Sequence, residues 1–254
     1  MKPVRLISRL DIKKPNLIKG VHLEGLRVVG DPCLFANQYY KDGIDEIIYM
    51  DAVASLYERN TILELITQTA REIFVPITVG GGIRSLSDAV AVLRAGADKI
   101  AINTAAIENP NLFDTLAKEF GSQCVVASIE AKKEPGGGWE ALVENGREKT
   151  GRDVLKWALE CEERGAGEIL VTSVDREGTF SGFDVELTLA IKNIVSVPVI
   201  SSGGCGTLED IEDVISNGNV DGVVIAGALH YGKIGITEIR DYSSQNNLPL
   251  RTVR

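Results

Sequence analysis

PITVGGGIRSLSD at 76–88 returns as PVISSGGCGTLED at 198–210, so Pro76 answers Pro198, Gly81 answers Gly203 and Gly82 answers Gly204. GIDEI at 43–47 returns as GAGEI at 165–169 with the same spacing, and GADKIAINTAAI at 96–107 has a looser echo in GNVDGVVIAGAL at 218–229. Each copy holds an apolar strand, a Gly-Gly turn and the start of a helix. Short runs rich in Val and Ile alternate with amphipathic stretches, as in βα units around a buried parallel sheet. Strands are expected near 5–11, 46–51, 75–80, 98–103, 124–130, 168–173, 197–202 and 221–226. One half has too few strand-helix units to close on itself, whereas two halves make eight. The expected fold is therefore an α/β (β/α)8 TIM barrel, a single domain over residues 1–254 built from half-barrels of about 1–120 and 121–254.

Bulk composition narrows the function. The 254 residues are 44% hydrophobic and 25% charged, ordinary for a soluble globular chain. A net charge of -9 leaves no basic stripe for nucleic acid. Cys33, Cys124, Cys161 and Cys205 form no CxxC pair and read as free thiols in a reducing compartment. Lys2, Arg5, Arg9 and Asp11 interrupt any signal-peptide apolar region, and no apolar run approaches a membrane span. A cytoplasmic protein is expected. With only His22 and His230, and no cluster of His, Cys and carboxylate at ligand spacing, neither a metal nor another cofactor is expected. There is no G-x-S-x-G elbow, so proton transfer falls to carboxylates and lysines.

The strand ends supply those groups. Asp11 closes strand 1 and Glu130 closes strand 5, equivalent places in the two halves and so opposed across the barrel mouth. A lone strand-end acid usually caps a loop; a symmetry-related pair favours general acid/base work. Asp51, Asp175 and Glu177 lie near the same rim with weaker claims. Lys19, in the long connection after strand 1, either reaches a phosphate or developing anion or is a solvated surface lysine. That connection (12–31) and the one after strand 5 (132–150, with Gly136-Gly137-Gly138) are expected to be lid loops. Gly81-Gly82 and Gly203-Gly204 offer bare backbone N–H groups at helix starts, a setting for phosphate. Asn103-Thr104 and Ala226-Gly227 complete one cradle per half, which suits a molecule with a phosphate at each end. At the opposite pole Arg5, Glu46, Lys99 and Glu168 begin strands 1, 2, 4 and 6 and can form a closed ring of salt bridges, either a stability plug or a portal.

These motifs resemble the cyclase-subunit family of imidazole glycerol phosphate synthase over nearly the whole chain. The resemblance rests on RLISRLDIK at 5–13, TVGGGIRS at 78–85, INTAAIENP at 102–110, FGSQCVV at 120–126, GAGEILVTSVDREGT at 165–179 and SGGCGT at 202–207. It implies a barrel fed with ammonia by a separate glutaminase docked on its N-terminal face. The ammonia would attack a bisphosphorylated aminoimidazole-ribonucleotide substrate, giving imidazole glycerol phosphate and an aminoimidazole carboxamide ribotide. Asp11 then matches the first catalytic acid, Glu130 the second, and Lys19 the loop lysine. Gly82, Asn103 and Thr104 match one phosphate site, and Gly178, Gly204, Ala226 and Gly227 the other. Thr172, Glu177, Ser202, Gly81 and Gly203 are counted with the substrate contacts. Arg5, Glu46, Lys99 and Glu168 match an ammonia gate, and Asp98 a docking residue. The chain departs from the family at Glu130 and Glu177, where the family has aspartate, and at Arg9, where a cysteine normally stands. An intact gate beside altered acids leaves three readings: the cyclase, a paralogue feeding ammonia to amidino-sugar formation for surface polysaccharide, and a scaffold that activates a glutaminase without chemistry of its own. The sister sugar-isomerising barrel also has two phosphate sites but needs no gate.

Overall fold

The computed structural model describes residues 2–52 and 63–252. The Val- and Ile-rich runs form strands β1 (Arg5–Lys13), β2 (Asn16–Val21), β3 (Glu24–Gly30), β4 (Glu46–Asp51), β5 (Ile77–Gly80) and β6 (Lys99–Ile102) in the first half. The second half holds β7 (Val125–Lys133), β8 (Trp139–Val143), β9 (Glu148–Asp153), β10 (Glu168–Ser173), β11 (Val199–Ser202) and β12 (Gly222–Ile225). The helices that follow are α1 (Pro32–Lys41), α2 (Leu63–Glu72), α3 (Leu86–Arg94), α4 (Thr104–Glu108), α5 (Asn111–Phe120), α6 (Val154–Glu163), α7 (Val185–Lys192), α8 (Leu208–Gly218), α9 (Gly227–His230) and α10 (Ile236–Gln245).

Eight of the strands pair in parallel in the order β1, β4, β5, β6, β7, β10, β11, β12, and β12 returns to β1. The closed ring is the expected (β/α)8 barrel, with strand bounds within three residues of those read from sequence. A parallel sheet needs both faces buried, and each face has its own core. Outward-facing residues such as Leu6, Leu10, Ile47, Tyr49, Val79 and Val171 pack under the helices. Inward-facing Ile7, Ile48, Met50, Ala101, Val126, Leu170, Ile200 and Val224 make a separate cluster inside the ring.

Acids just ahead of the strands fix the starting register. Asp45 Oδ2 accepts from Leu6 N at 2.7 Å, Asp98 Oδ2 from Ile77 N at 2.8 Å and Asp221 Oδ2 from Val199 N at 2.9 Å. Each binds a main-chain donor on the neighbouring strand that the ladder leaves unpaired. On the helix side, Ser85 caps α3 through Asp88 N and Thr207 caps α8 in a reciprocal pair with Asp210, so the two repeated segments end in the same device.

The two long connections are not loops. Residues 16–30 form a hairpin, β2 antiparallel to β1 (Asp11↔Ile18) and β3 to β2. Residues 139–153 do the same on β7, with Glu130 opposite Leu142. Each half-barrel thus lengthens its first strand and folds the following chain back onto it above the mouth. Among the described residues no helix is long and apolar enough to cross a membrane.

Candidate active site

Alternation along β1 turns Arg5, Ile7, Arg9 and Asp11 into the ring, one above the other. The partners of each define four storeys in the lumen. At the N-terminal mouth, Arg5 Nη1 donates to Glu46 Oε1 at 2.9 Å and pairs with Glu168, while Lys99 Nζ donates to Glu46 Oε2 at 3.3 Å and to Glu168 Oε2 at 3.0 Å. Every carboxylate thus binds both cations, and the four side chains close the opening. Burial works against the Arg5 charge, but Glu168 and Glu46 outweigh it and raise the guanidinium above its ordinary value. Asp98 stands beside Lys99 on this face, exposed, with one oxygen already on Ile77 N.

Above the charged ring lies the apolar collar of Ile7, Ile48, Val126, Leu170, Ile200 and Val224. The next storey is Arg9, 2% exposed. Its Nε donates to Asp11 Oδ1 at 2.7 Å and its Nη1 to Thr172 Oγ1 at 3.1 Å, across the lumen from β1 to β10. Thr172, expected among the substrate contacts, is thus occupied by Arg9 one storey below the rim.

The uppermost storey holds the acids. β1 and β7 are four strands apart in a ring of eight, so Asp11 and Glu130 face each other, both buried. Burial alone would raise the Asp11 carboxyl; Arg9 and then Lys19 reverse this and hold it well below the usual carboxylate range. Among the described residues Glu130 has no such cation at bonding distance. Its Oε2 accepts from Asn103 Nδ2 at 3.1 Å and from Gly146 N at 2.7 Å, and burial pushes its carboxyl up to about 7 against the opposing charge of Arg9. The mouth pairs an anion that stays charged with an acid that changes charge near neutrality.

Lys19 is no surface lysine. β2 brings it over the rim, 4% exposed, where its Nζ donates to Asp11 Oδ2 at 3.1 Å and pairs with Glu177. Burial opposes the ammonium charge, and Asp11 and Glu177 restore it and raise its affinity for the proton.

The Gly-Gly turns flank this centre. A cavity of about 250 Å³ is lined by Gly81, Gly82, Asn103, Thr104, Arg84 and Glu130. Its counterpart of about 20 Å³ is lined by Gly178, Ser202, Gly203, Gly204, Ala226, Gly227 and the Lys19–Glu177 pair. The two cradles share an uncommon backbone: Asn103 at φ −130°, ψ −89° and Ala226 at φ −128°, ψ −86°. Glycine is required at the turns themselves. Gly203 has φ +98°, and a Cβ there would lie 2.9 Å from the Ser173 carbonyl oxygen; a Cβ on Gly81, at φ +89°, would collide with the Asp51 carbonyl. Asp51 lines the larger cavity, whereas Asp175 turns outward to accept from Lys133 N at 2.8 Å.

Four residues of the site were not singled out from sequence for these parts. Arg9 was visible only as a departure from a family. Gly146 comes from the second hairpin, whose fold was unseen. His230 sits under Lys19 with its Nδ1 on the Tyr39 hydroxyl at 2.7 Å, and burial, then Lys19, lower it to about 4. Phe180, at φ +57°, lays its ring over Gly227 beneath Lys233 Nζ. Among the described residues no three His, Cys, Asp or Glu side chains converge as a metal centre.

The family model described as "Histidine biosynthesis protein" matches residues 5–235. The imidazole glycerol phosphate synthase subunit HisF of Legionella pneumophila is 62% identical over 210 residues, 83% of this chain and 99% of that relative. HisF of a Nostoc species is 44% identical over 250 residues, 97% of this chain and 96% of its own length. HisF of Lactococcus lactis subsp. cremoris is 45% identical over 251 residues, 98% and 97% of the two chains. The chain belongs to the histidine-biosynthesis barrel family, among its HisF members.

Proposed function

We propose that the chain, working as one barrel domain, is a cyclase of the imidazole glycerol phosphate synthase type. It would take ammonia and a bisphosphorylated, ribulosyl-bearing aminoimidazole ribotide to imidazole glycerol phosphate and aminoimidazole carboxamide ribotide. One observation carries this reading: a charged ring at one pole, an apolar collar above it, and two opposed acids of unequal proton affinity at the other pole. A plug for stability alone has no need of the opposed acids.

The phosphate nearer the first half would lie on Gly81, Gly82, Asn103 and Thr104. The second would lie on Gly178, Gly203, Gly204, Ala226 and Gly227, drawing Lys19 away from Glu177. Between them the reacting carbons span the mouth. Glu130, as carboxylate, accepts a proton shed by the entering nitrogen and, as the neutral acid, returns it to the departing amine. Asp11 stays charged and stabilises cationic intermediates. The nitrogen reaches them as neutral ammonia, since an ammonium ion would have to shed its hydration in the apolar collar. A glutaminase on the N-terminal face, engaging Asp98 among others, would part the Arg5–Glu46–Lys99–Glu168 circuit and release ammonia behind it.

The test is turnover of that ribulosyl substrate by the purified chain with excess ammonium salt. Product formation, reduced on the order of 1,000-fold in Asp11→Asn, supports the reading; no product at high ammonium rejects it. A second reading keeps the nitrogen path and changes the acceptor, because Arg9, Glu130 and Glu177 all lie at the acceptor end. Growth of a histidine auxotroph lacking its own cyclase, restored by this chain, would exclude that alternative.

A further inference from the structure

We propose that Arg9 is a positioning residue of the reaction: its guanidinium, bolted across the lumen between β1 and β10, fixes Asp11 as a permanent anion and leaves Glu130 as the one acid that exchanges protons during turnover. The inference rests on the cyclase reading and adds a division of labour between the two acids.

Geometry carries it. Arg9 heads the largest fully buried side chains of the described residues, so its charge is answered inside the barrel. The 2.7 Å bond to Asp11 Oδ1 and the 3.1 Å bond to Thr172 Oγ1 leave the guanidinium plane no freedom to swing. The other Asp11 oxygen is held by Lys19 at 3.1 Å. With a cation on each oxygen, protonating Asp11 would break an ion pair out of reach of water. Among the described residues the hydrogen bonds to Glu130 come from neutral donors, the Asn103 amide and the Gly146 N–H. Protonation there breaks no ion pair among the described residues. One acid is locked and its partner across the mouth is free to titrate.

The surrounding charges agree. Asp11 is faced by Arg9 and Lys19 from its own side, by Glu177 through Lys19, and by His230 from α9, which burial and Lys19 keep neutral above about 4. Glu130 feels Arg9, Asp11 and, from the hairpin, Glu144. Arg9 is common to both sets and lowers both carboxyls. Removing its charge would bring Asp11 back toward the titrating range and push Glu130 further up.

Two measurements test this. The first is the pH profile of ammonium-driven kcat/KM at constant free ammonia. The wild type should show one ionisation, near 7, absent from the residual rate of Glu130→Gln. Arg9→Met should lower kcat about 100-fold and also displace that ionisation upward, with a second appearing at lower pH. Arg9→Lys keeps the charge but cannot span both partners, and should fall between; it serves alone if the Met variant does not fold. The second measurement is a carboxyl ¹³C titration of the ligand-free protein. In the wild type Glu130 should titrate near 7 and Asp11 should stay flat from about pH 4 to about pH 9, becoming titratable in the Arg9 variants. A lower kcat with an unmoved pH profile would reduce Arg9 to a structural bolt and overturn the assignment, as would an Asp11 that titrates alongside Glu130 in the wild type. Absence of turnover by the wild type would sink the cyclase reading instead, and the carboxyl titration judges the Arg9 assignment on its own.

Discussion

Glu130 is placed where its charge costs stability. Burial raises its carboxyl to about 7, whereas an unfolded glutamate titrates at about 4.3. Between these values the folded chain holds a proton that the unfolded chain has released, so stability from this group falls as pH rises through that window. Glu130→Gln should therefore be more stable than the wild type at pH 8 by on the order of 1–3 kcal/mol, with the difference vanishing toward pH 4, while losing turnover. Urea unfolding of both proteins at the two pH values checks this. His230, neutral in the fold down to about 4, slopes the other way, but it is common to both proteins and cancels. Asp11 contributes stability that is intact above about pH 4 and lost only in strong acid, as its depressed carboxyl protonates. Asp11, Glu130 and the four ring residues could be read from sequence because residue type and place on an alternating strand suffice. Arg9 could not, since its meaning depends on Thr172, 163 positions later.

At the scale of elements, the barrel strands and the Gly-Gly turns were legible because the chain writes them twice. The hairpins were not. β3 and β9 face water along much of their length, so they carry little of the apolar alternation that marks a strand. The Gly136-Gly137-Gly138 tip read as loop. Yet the hairpins complete the site: one carries Lys19, the other offers Gly146 N to Glu130. Lys19→Met removes two of the bonds that hold the first hairpin over the mouth, those to Asp11 and Glu177, and leaves the His22 bonds to Glu177 and Val174. It should make residues 16–30 sensitive to limited proteolysis and lower kcat about 100-fold, with the barrel's unfolding midpoint little changed. In the turn after β11, Gly203→Ala forces a Cβ to within 2.9 Å of the Ser173 carbonyl in a left-handed backbone. It should cost about 1–3 kcal/mol in thermal or urea melts and raise KM for the bisphosphorylated substrate about tenfold.

The whole molecule is a column with a charged base, an apolar shaft and an acidic head, and the charged base closes it in the unpartnered chain. Glu168→Ala leaves Arg5 and Lys99 sharing Glu46 as their one remaining carboxylate in the ring and should destabilise the protein by about 1–3 kcal/mol in urea unfolding. The central claim, that nitrogen enters through this base and is consumed at the head, meets its most direct test in the shaft. Val126 belongs to the collar and lines neither cradle, so Val126→Phe adds bulk where the proposed path crosses the collar and changes no residue of the mouth. The measurement compares glutamine-driven turnover in the glutaminase complex with ammonium-driven turnover, in which ammonia can reach the head from bulk solvent. The account predicts a glutamine-driven rate at least about tenfold below wild type with an ammonium-driven rate within about twofold of it. Equal losses in both, or no loss in either, would contradict it.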